Sequence, residues 1–242
     1  MCFGAEPLAE KDTISMSYVF DPPPQASLPI VGMDERLPVH RVFCIGRNYA
    51  EHAREMGHDP DREPPFFFQK NPHNLDTSGE FPYPVKSEDV HWEIEMMAAL
   101  QSGGKDIPVA EALDHVYGYG VALDMTRRDL QGVAKKMGRP WEIGKAFDRS
   151  APCTAIVPAS EAGHPDAGAV SLKVNGETRQ EGNLNQMIWS LPEQISYLSE
   201  HFELYAGDVI LTGTPAGVAA CKRGDKMVGH VDGLPDLKVT VV

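Results

Sequence analysis

The stretch VHWEIEMMAAL, residues 90 to 100, places two glutamates one residue apart among apolar side chains, and this pattern constrains the fold first. Read as a strand, its side chains alternate, so Trp92, Ile94 and Met96 point one way while His91, Glu93, Glu95 and Met97 point the other. The two carboxylates then share a face, roughly 7 Å apart along the backbone. Two explanations stay open at this point. Either the pair lies on the solvated face of an amphipathic strand, where charged residues usually lie, or two like charges are kept together by a cation between them.

Further β-type runs surround this one. RVFCIG (41 to 46), the phenylalanine run at 66 to 68 and VYGYGVALDM (116 to 125) read as strands, the last two as buried ones. AVSLKV alternates Val170, Leu172 and Val174 before Asn175-Gly176, a hairpin signal. GDVILTGTPAGV (207 to 218) is a strand running into a glycine turn. Helices are few and short. Residues 47 to 57 read as one, with Asn48 as N-cap, Glu51 completing a capping box and Gly57 ending it. Residues 126 to 138 read as a second, capped by Thr126, and 191 to 204 as a third, with Pro192 at its start and Ile195, Leu198 and Phe202 at helical spacing. There is no regular βαβ alternation, so the fold class is β-rich α+β. The Pro-Pro-Pro run at 22 to 24 marks residues 1 to 39 as an extended arm leading into one domain over 40 to 242.

Charge and cysteine usage exclude several function classes. With 22 basic and 35 acidic side chains the formal charge is -13, which argues against nonspecific nucleic-acid binding or an anionic membrane partner. The four cysteines, Cys2, Cys44, Cys153 and Cys221, form no CxxC pair, so neither a zinc cluster nor a disulfide framework is expected. Residues 1 to 16 have no apolar core of a leader and no stretch reaches the length of a membrane span, so a soluble protein of the reducing cytoplasm is expected. GYGVAL lacks the third glycine of a dinucleotide fingerprint and no P-loop is present.

The candidates for chemistry are carboxylates, one histidine and a few cations. Glu93, Glu95 and Asp124 each lie in or at the end of an apolar strand, and three hard oxygen ligands suit Mg²⁺ or Mn²⁺, with Ca²⁺ also compatible, better than zinc. His52 and Glu55 are spaced i, i+3 on the first helix, the spacing of a base and its orienting carboxylate and equally of a surface pair. Arg47, Lys70, Arg127, Arg128 and Lys145 are the cations, Lys145 in an apolar setting and Arg128 one helical turn from Gln131. LTGTPAGV, with Gly213 and Thr214, has the composition of a turn whose N–H groups hold a carboxylate. Taken singly, none of these signals separates a site from a solvated surface.

In order, GRNYAEHAREMG, HWEIEM, GYGVALDMTRRDLQ, GKAFD, NGETRQEGNLNQMIW and GDVILTGTPAGV resemble the ordered motifs of the fumarylacetoacetate hydrolase family, over about residues 40 to 242. The resemblance implies that family's mixed β-sandwich or β-roll with a few short helices, and a homodimer. It implies one divalent cation on Glu93, Glu95 and Asp124, a catalytic dyad of His52 and Glu55 on a lid helix, and Lys145 beside them. Arg47, Arg128, Gln131, Gly213 and Thr214 are implied substrate contacts. The implied activity is hydrolytic cleavage of a carbon–carbon bond in a small anionic 2-oxo acid, an acylpyruvate. The arm and GHDPDREPPFFFQK are most similar to bacterial members acting on fumarylpyruvate in gentisate-type aromatic-acid breakdown. Isomerases and decarboxylases of 2-oxo acids share the fold and form the alternative, and a catalytically silent metal-binding module is a second. QKNPHNLD and FDRSAPC depart from the family pattern in loops expected to shape the substrate pocket.

Overall fold

The computed structural model describes residues 17–55 and 63–242. Two twisted sheets dominate it. The larger has six strands in the order Val157–Pro158, Val116–Leu123, Ile94–Leu100, Asp208–Leu211, Arg41–Gly46 and Phe66–Lys70. All neighbours are antiparallel except Asp208–Leu211 and Arg41–Gly46. The smaller sheet runs Glu177–Asn183, Ala169–Val174, Lys226–Val231, Leu237–Val241 and Glu80–Phe81, with only the last pair parallel. The alternation read in the sequence places the faces: Val170, Leu172 and Val174 are buried and their neighbours are not. Asn175 and Gly176 both take positive φ in the hairpin turn, as a two-residue connection between right-twisted strands requires.

The two sheets enclose the main core. Trp92, Ile94, Met96, Ala98 and Leu100 pack there with Val121, Leu172, Val231 and Val239, while Met97 and Ala99 belong to a second cluster on the far side of the six-stranded sheet. The period-two pattern of 90 to 100 is therefore real, and both faces are covered. The far side is closed by a hairpin of Ser27–Pro29 and Arg36–Pro38, whose Leu28 and Leu37 enter that second cluster with Ile30 and Val39. Cys44, Cys153 and Cys221 are buried free thiols. Among the described residues, no helix is long and apolar enough to cross a membrane.

Several local expectations change on folding. Residues 90 to 100 form two strands, Val90–His91 and Ile94–Leu100, because the chain breaks at Trp92 and Glu93. The phenylalanine run is an edge strand with Phe66 exposed and Phe67 and Phe68 half-buried, since only one neighbour covers it. The first helix spans Ala50–Glu55, and its expected end at Gly57 lies outside the described residues. Asn48 is not spent on a cap, because its side chain bonds the Trp189 and Thr212 backbone instead. The second helix is Arg128–Lys136; Thr126, read as its cap, pairs with His91 in a short strand and donates to the Asp124 carbonyl. The third is Leu191–His201, with a Ser190/Glu193 capping box and Pro192 in the first turn, and it buries Ile195 and Leu198.

The sheets approach closely at Gly229, where an added Cβ would stand 2.5 Å from Ile94 Cδ1 and 3.5 Å from Val121 Cγ1. Gly229→Val is expected to lower the unfolding free energy by about 1–3 kcal/mol through overpacking. Denaturant titration measures this, and an unchanged midpoint would contradict the close approach.

Candidate active site

The break at Trp92 and Glu93 sits where the Ile94–Leu100 strand meets the end of its neighbour Val116–Leu123. The Asp124 N–H donates to the Glu93 carbonyl at 2.8 Å, which sets the two residues side by side. Glu93, Glu95 and Asp124 are 4%, 2% and 1% exposed. Their ligand oxygens lie within 4.8 Å of one another. A solvated strand face is thereby ruled out for the E-x-E pair.

Three cations approach this cluster unevenly. Lys145, from the short helix Glu142–Lys145, donates to Glu93 Oε2 at 2.8 Å and to Asp124 Oδ2 at 2.7 Å. Arg128 donates to Glu93 Oε1 at 2.5 Å and to Gln131 Oε1 at 2.8 Å. Lys70 Nζ lies 2.8 Å from Asp124 Oδ1, yet that buried oxygen accepts no well-formed hydrogen bond. Glu95 has none of the three; its Oε2 accepts the Gly213 N–H at 2.7 Å. Burial raises the Glu93 pKa, but Lys145 and Arg128 outweigh it and hold the carboxyl well below its usual range. Burial also raises Glu95, and there Asp124 and Glu93 add to the effect, so its pKa stands well above normal. Burial opposes the charge on Lys145, but Asp124 and Glu93 raise its pKa overall, so it remains an ammonium.

This donor set fits one divalent cation of the Mg²⁺ or Mn²⁺ kind. The oxygens are hard, the cluster is tight, an Asp124 oxygen is left without a proper donor, and Glu95, whose ionised form burial disfavours, has no ion-pair partner among the described residues.

The other implied residues converge on the same narrow cleft, which is lined by Arg47, His52, Phe68, Arg128, Gln131, Lys135, Trp141 and Thr214 with the three carboxylates. His52 is 6% exposed. Its Nδ1 lies 3.3 Å from Glu55 Oε2, and Glu55 in turn accepts the Gly217 N–H at 3.1–3.2 Å. Burial lowers the His52 pKa, more than Glu93 and Glu55 raise it, so the imidazole stays neutral below the usual histidine range. A larger cavity of about 630 Å³ lies elsewhere, under Pro22–Pro24, His40, Pro72, His73 and Tyr205, and contains no carboxylate cluster. The carboxylate cluster and His52 share the narrow cleft.

Gly213 and Thr214, expected as substrate contacts, are both bonded within the protein, and Thr214 lines the cleft. Gly213 spends its N–H on Glu95, and its φ of 100°, with an added Cβ only 2.6 Å from Asn48 Cβ, restricts the position to glycine. Thr214 Oγ1 accepts from Gln180, which also donates to the Pro215 carbonyl and accepts from the Ile94 N–H, joining the turn to the E-x-E strand. Gln180 and Asn48 are structural members of the site that local patterns do not single out. Gln180 is the sole buried position on its strand, which only the folded structure shows. The departing loops also act elsewhere. Leu75–Asp76 and Ala151–Pro152 pair with each other, and Arg149 bonds Asp76. They enclose Lys70, which bonds the Lys145 carbonyl and Ser150 Oγ, and neither segment lines the cleft.

A family model for the fumarylacetoacetate hydrolase C-terminal domain matches residues 41–242. The chain belongs to the fumarylacetoacetate hydrolase family. Among solved structures of the family, fumarylpyruvate hydrolase from Pseudomonas aeruginosa, in complex with Mn²⁺ and pyruvate, is 54% identical with a TM-score of 0.92, covering 93% of this chain and 99% of that one. A fumarylpyruvate hydrolase of Ralstonia sp is 41% identical over 77% of this chain and 98% of its own. The mitochondrial oxaloacetate tautomerase of Arabidopsis thaliana is 40% identical over 83% and 90%. The chain is thus a fumarylacetoacetate hydrolase-family enzyme with a mixed β-sandwich fold and a divalent-cation site.

Mn²⁺ or Mg²⁺ is expected to raise the melting temperature of the chelator-treated protein, by about 2.7 kcal/mol of stability at a hundredfold excess over Kd. Calorimetric scans of the wild type and of Asp124→Asn test this: the variant is expected to lose the metal-dependent rise, and a rise of equal size in both would remove Asp124 from the site.

Proposed function

We propose that this enzyme hydrolyses the carbon–carbon bond of an acylpyruvate, with fumarylpyruvate as substrate and fumarate and pyruvate as products. The observation that carries the reading is a neutral, buried His52, backed by Glu55, in the same cleft as Glu93, Glu95 and Asp124. A metal-binding module that only ties strands together has no use for such a pair. The 54% identical relative crystallised with Mn²⁺ and pyruvate supports the same substrate class.

Glu93, Glu95 and Asp124 would hold the divalent cation, which when bound supplies Lewis-acid stabilisation to an anionic 2-oxo acid. With the proton of His52 on Nδ1 facing Glu55, Nε2 carries the lone pair. There it takes a proton from water as the oxygen adds to the carbonyl distal to the pyruvyl group. The bond between that carbonyl carbon and the pyruvyl methylene then breaks. Its electron pair passes to the pyruvyl half as an enolate, which is protonated to pyruvate, and the other half leaves as a carboxylic acid. Lys145, held as an ammonium between Glu93 and Asp124, lies where it can counter that developing charge. Arg128 and Gln131, already bonded to each other, orient carboxylate or carbonyl oxygens. The Ala50–Glu55 helix, too short to be stable alone, roofs the cleft as a lid and is held at Asn48 and at the Glu55–Gly217 contact. Homodimeric assembly and a place in gentisate-type breakdown in the cytoplasm belong to the same proposal and rest on the family resemblance.

The oxaloacetate tautomerase relatives at about 40% identity favour a second reading, in which the enzyme moves a proton within a 2-oxo acid and needs no activated water. Loss of enol absorbance of fumarylpyruvate against oxaloacetate, with Mn²⁺ and after chelation, separates the two. His52→Ala is expected to cut hydrolysis by about 10²–10⁴-fold; full activity in that variant would exclude the mechanism. The lowered His52 pKa also sets a direction for pH. A neutral base survives as pH falls past the usual histidine value of about 6.5, so the acid limb of kcat/KM is expected below it. A limb at or above that value would contradict the burial of His52.

A further inference from the structure

Beyond the metal and the dyad, the cleft has a second chemical character that the mechanism does not use. Its remaining wall is aromatic, and two cations lie on it. Phe68 and Trp141, which line the cleft, have ring centroids 6.0 Å apart, and Phe66, exposed at its edge, stands 4.9 Å from Trp141. Lys145 Nζ, at the catalytic end, is 5.0 Å from the Phe68 centroid. Lys135 Nζ is 4.9 Å from the Trp141 centroid, and Arg47 Cζ is 5.6 Å from the Phe66 centroid. The rings therefore lead from the reacting end of the cleft to a separate pair of cations.

These two cations differ from the three around the carboxylates. Lys70, Lys145 and Arg128 all pair with Glu93 or Asp124, whereas neither Lys135 nor Arg47 has an ion-pair partner among the described residues. Both side chains are half-buried and line the cleft. Burial lowers the Lys135 pKa, and the charges of Arg128 and Arg47 lower it further, with Glu93 working the other way. Unpaired like charges of this kind are unfavourable until an anion arrives.

We infer that Lys135 and Arg47 form a distal anion subsite, which selects acylpyruvates whose acyl chain is planar and ends in a second carboxylate. The inference deepens the acylpyruvate reading above and rests on it. One end of such a substrate is its 2-oxo acid group, placed at the carboxylate cluster. A flat conjugated chain packs along the faces of Phe68 and Trp141, as offset aromatic contacts favour. The far carboxylate meets two cations already oriented by the rings beneath them. A methyl-terminated chain, such as that of acetylpyruvate, leaves both cations unpaired. Lys135, on the cleft-facing side of the Arg128–Lys136 helix but without a contact to the three carboxylates, is the residue that makes the distinction.

The test compares two non-hydrolysable ligands of equal length, 2-oxoheptanedioate and 2-oxoheptanoate, by titration calorimetry on the Mn²⁺-loaded protein. The wild type is expected to bind the dicarboxylate about ten-fold or more tightly, the scale of a hydrogen-bonded charge pair. Lys135→Ala is expected to collapse that preference to below about two-fold and Lys135→Arg to retain most of it. Equal affinities in the wild type, a preference unaltered in Lys135→Ala, or no binding of either ligand would overturn the subsite. Fumarylpyruvate and acetylpyruvate turnover, measured in parallel, keeps the two readings apart. No turnover with an intact binding preference refutes hydrolysis alone, and turnover without the preference refutes the subsite alone.

Discussion

Three carboxylates crowded at the end of two neighbouring strands of an open, covered sheet are the constraint around which the rest of this protein is arranged. Glu93, Glu95 and Asp124 are almost wholly buried, with ligand oxygens within 4.8 Å of one another. Left alone, such a cluster would disfavour the folded state, because each charge loses its hydration and repels the others. The fold answers with Lys145 and Arg128 on Glu93, Lys145 and Lys70 on Asp124, and a glycine N–H on Glu95. The compensation is uneven: burial and the neighbouring carboxylates disfavour the ionised form of Glu95, and a bound cation would favour it.

The same turn serves both halves of the site. Gly213 donates to Glu95 and Gly217 to Glu55, so one loop after the Asp208–Leu211 strand holds a carboxylate of the cluster and the carboxylate beside His52. Asn48 fastens the start of the dyad helix to Thr212 in that loop. Gln180 fastens the loop to the E-x-E strand. Through these side-chain bonds to the loop, the spacing between His52 and the carboxylates is tied to the geometry of one turn. The departures from the family pattern at 70–76 and 147–153 have a related role. They pair with each other and wrap Lys70, supporting Asp124 and Lys145 from below and not from within the cleft.

Much of the site is legible in the sequence because it consists of short segments of fixed periodicity. The i, i+2 spacing of Glu93 and Glu95 and the i, i+3 spacings of His52 with Glu55 and of Arg128 with Gln131 state which side chains share a face. The local misreadings have one cause. Asn48 and Thr126 carry the side chains of helix caps, yet both are claimed by partners distant in the chain or by a short strand pairing. The phenylalanine run has the composition of a buried strand, but burial depends on having neighbours on both sides, and this strand has one. Propensity describes what a segment does when nothing else competes for it.

The sequence by itself determined the β-rich class, the alternating faces, the Asn175-Gly176 hairpin and, through six motifs in order, the family. These depend on local periodicity and composition, which a linear chain displays. Only the tertiary structure decided that Glu93 and Glu95 are buried instead of solvated, and that Lys70 lies under Asp124. It alone placed Lys135 and Arg47, without an ion-pair partner among the described residues, on the aromatic wall of the same cleft. The physical reason is that charge compensation and desolvation depend on distances between segments far apart in the chain, and these exist only once the sheets have closed.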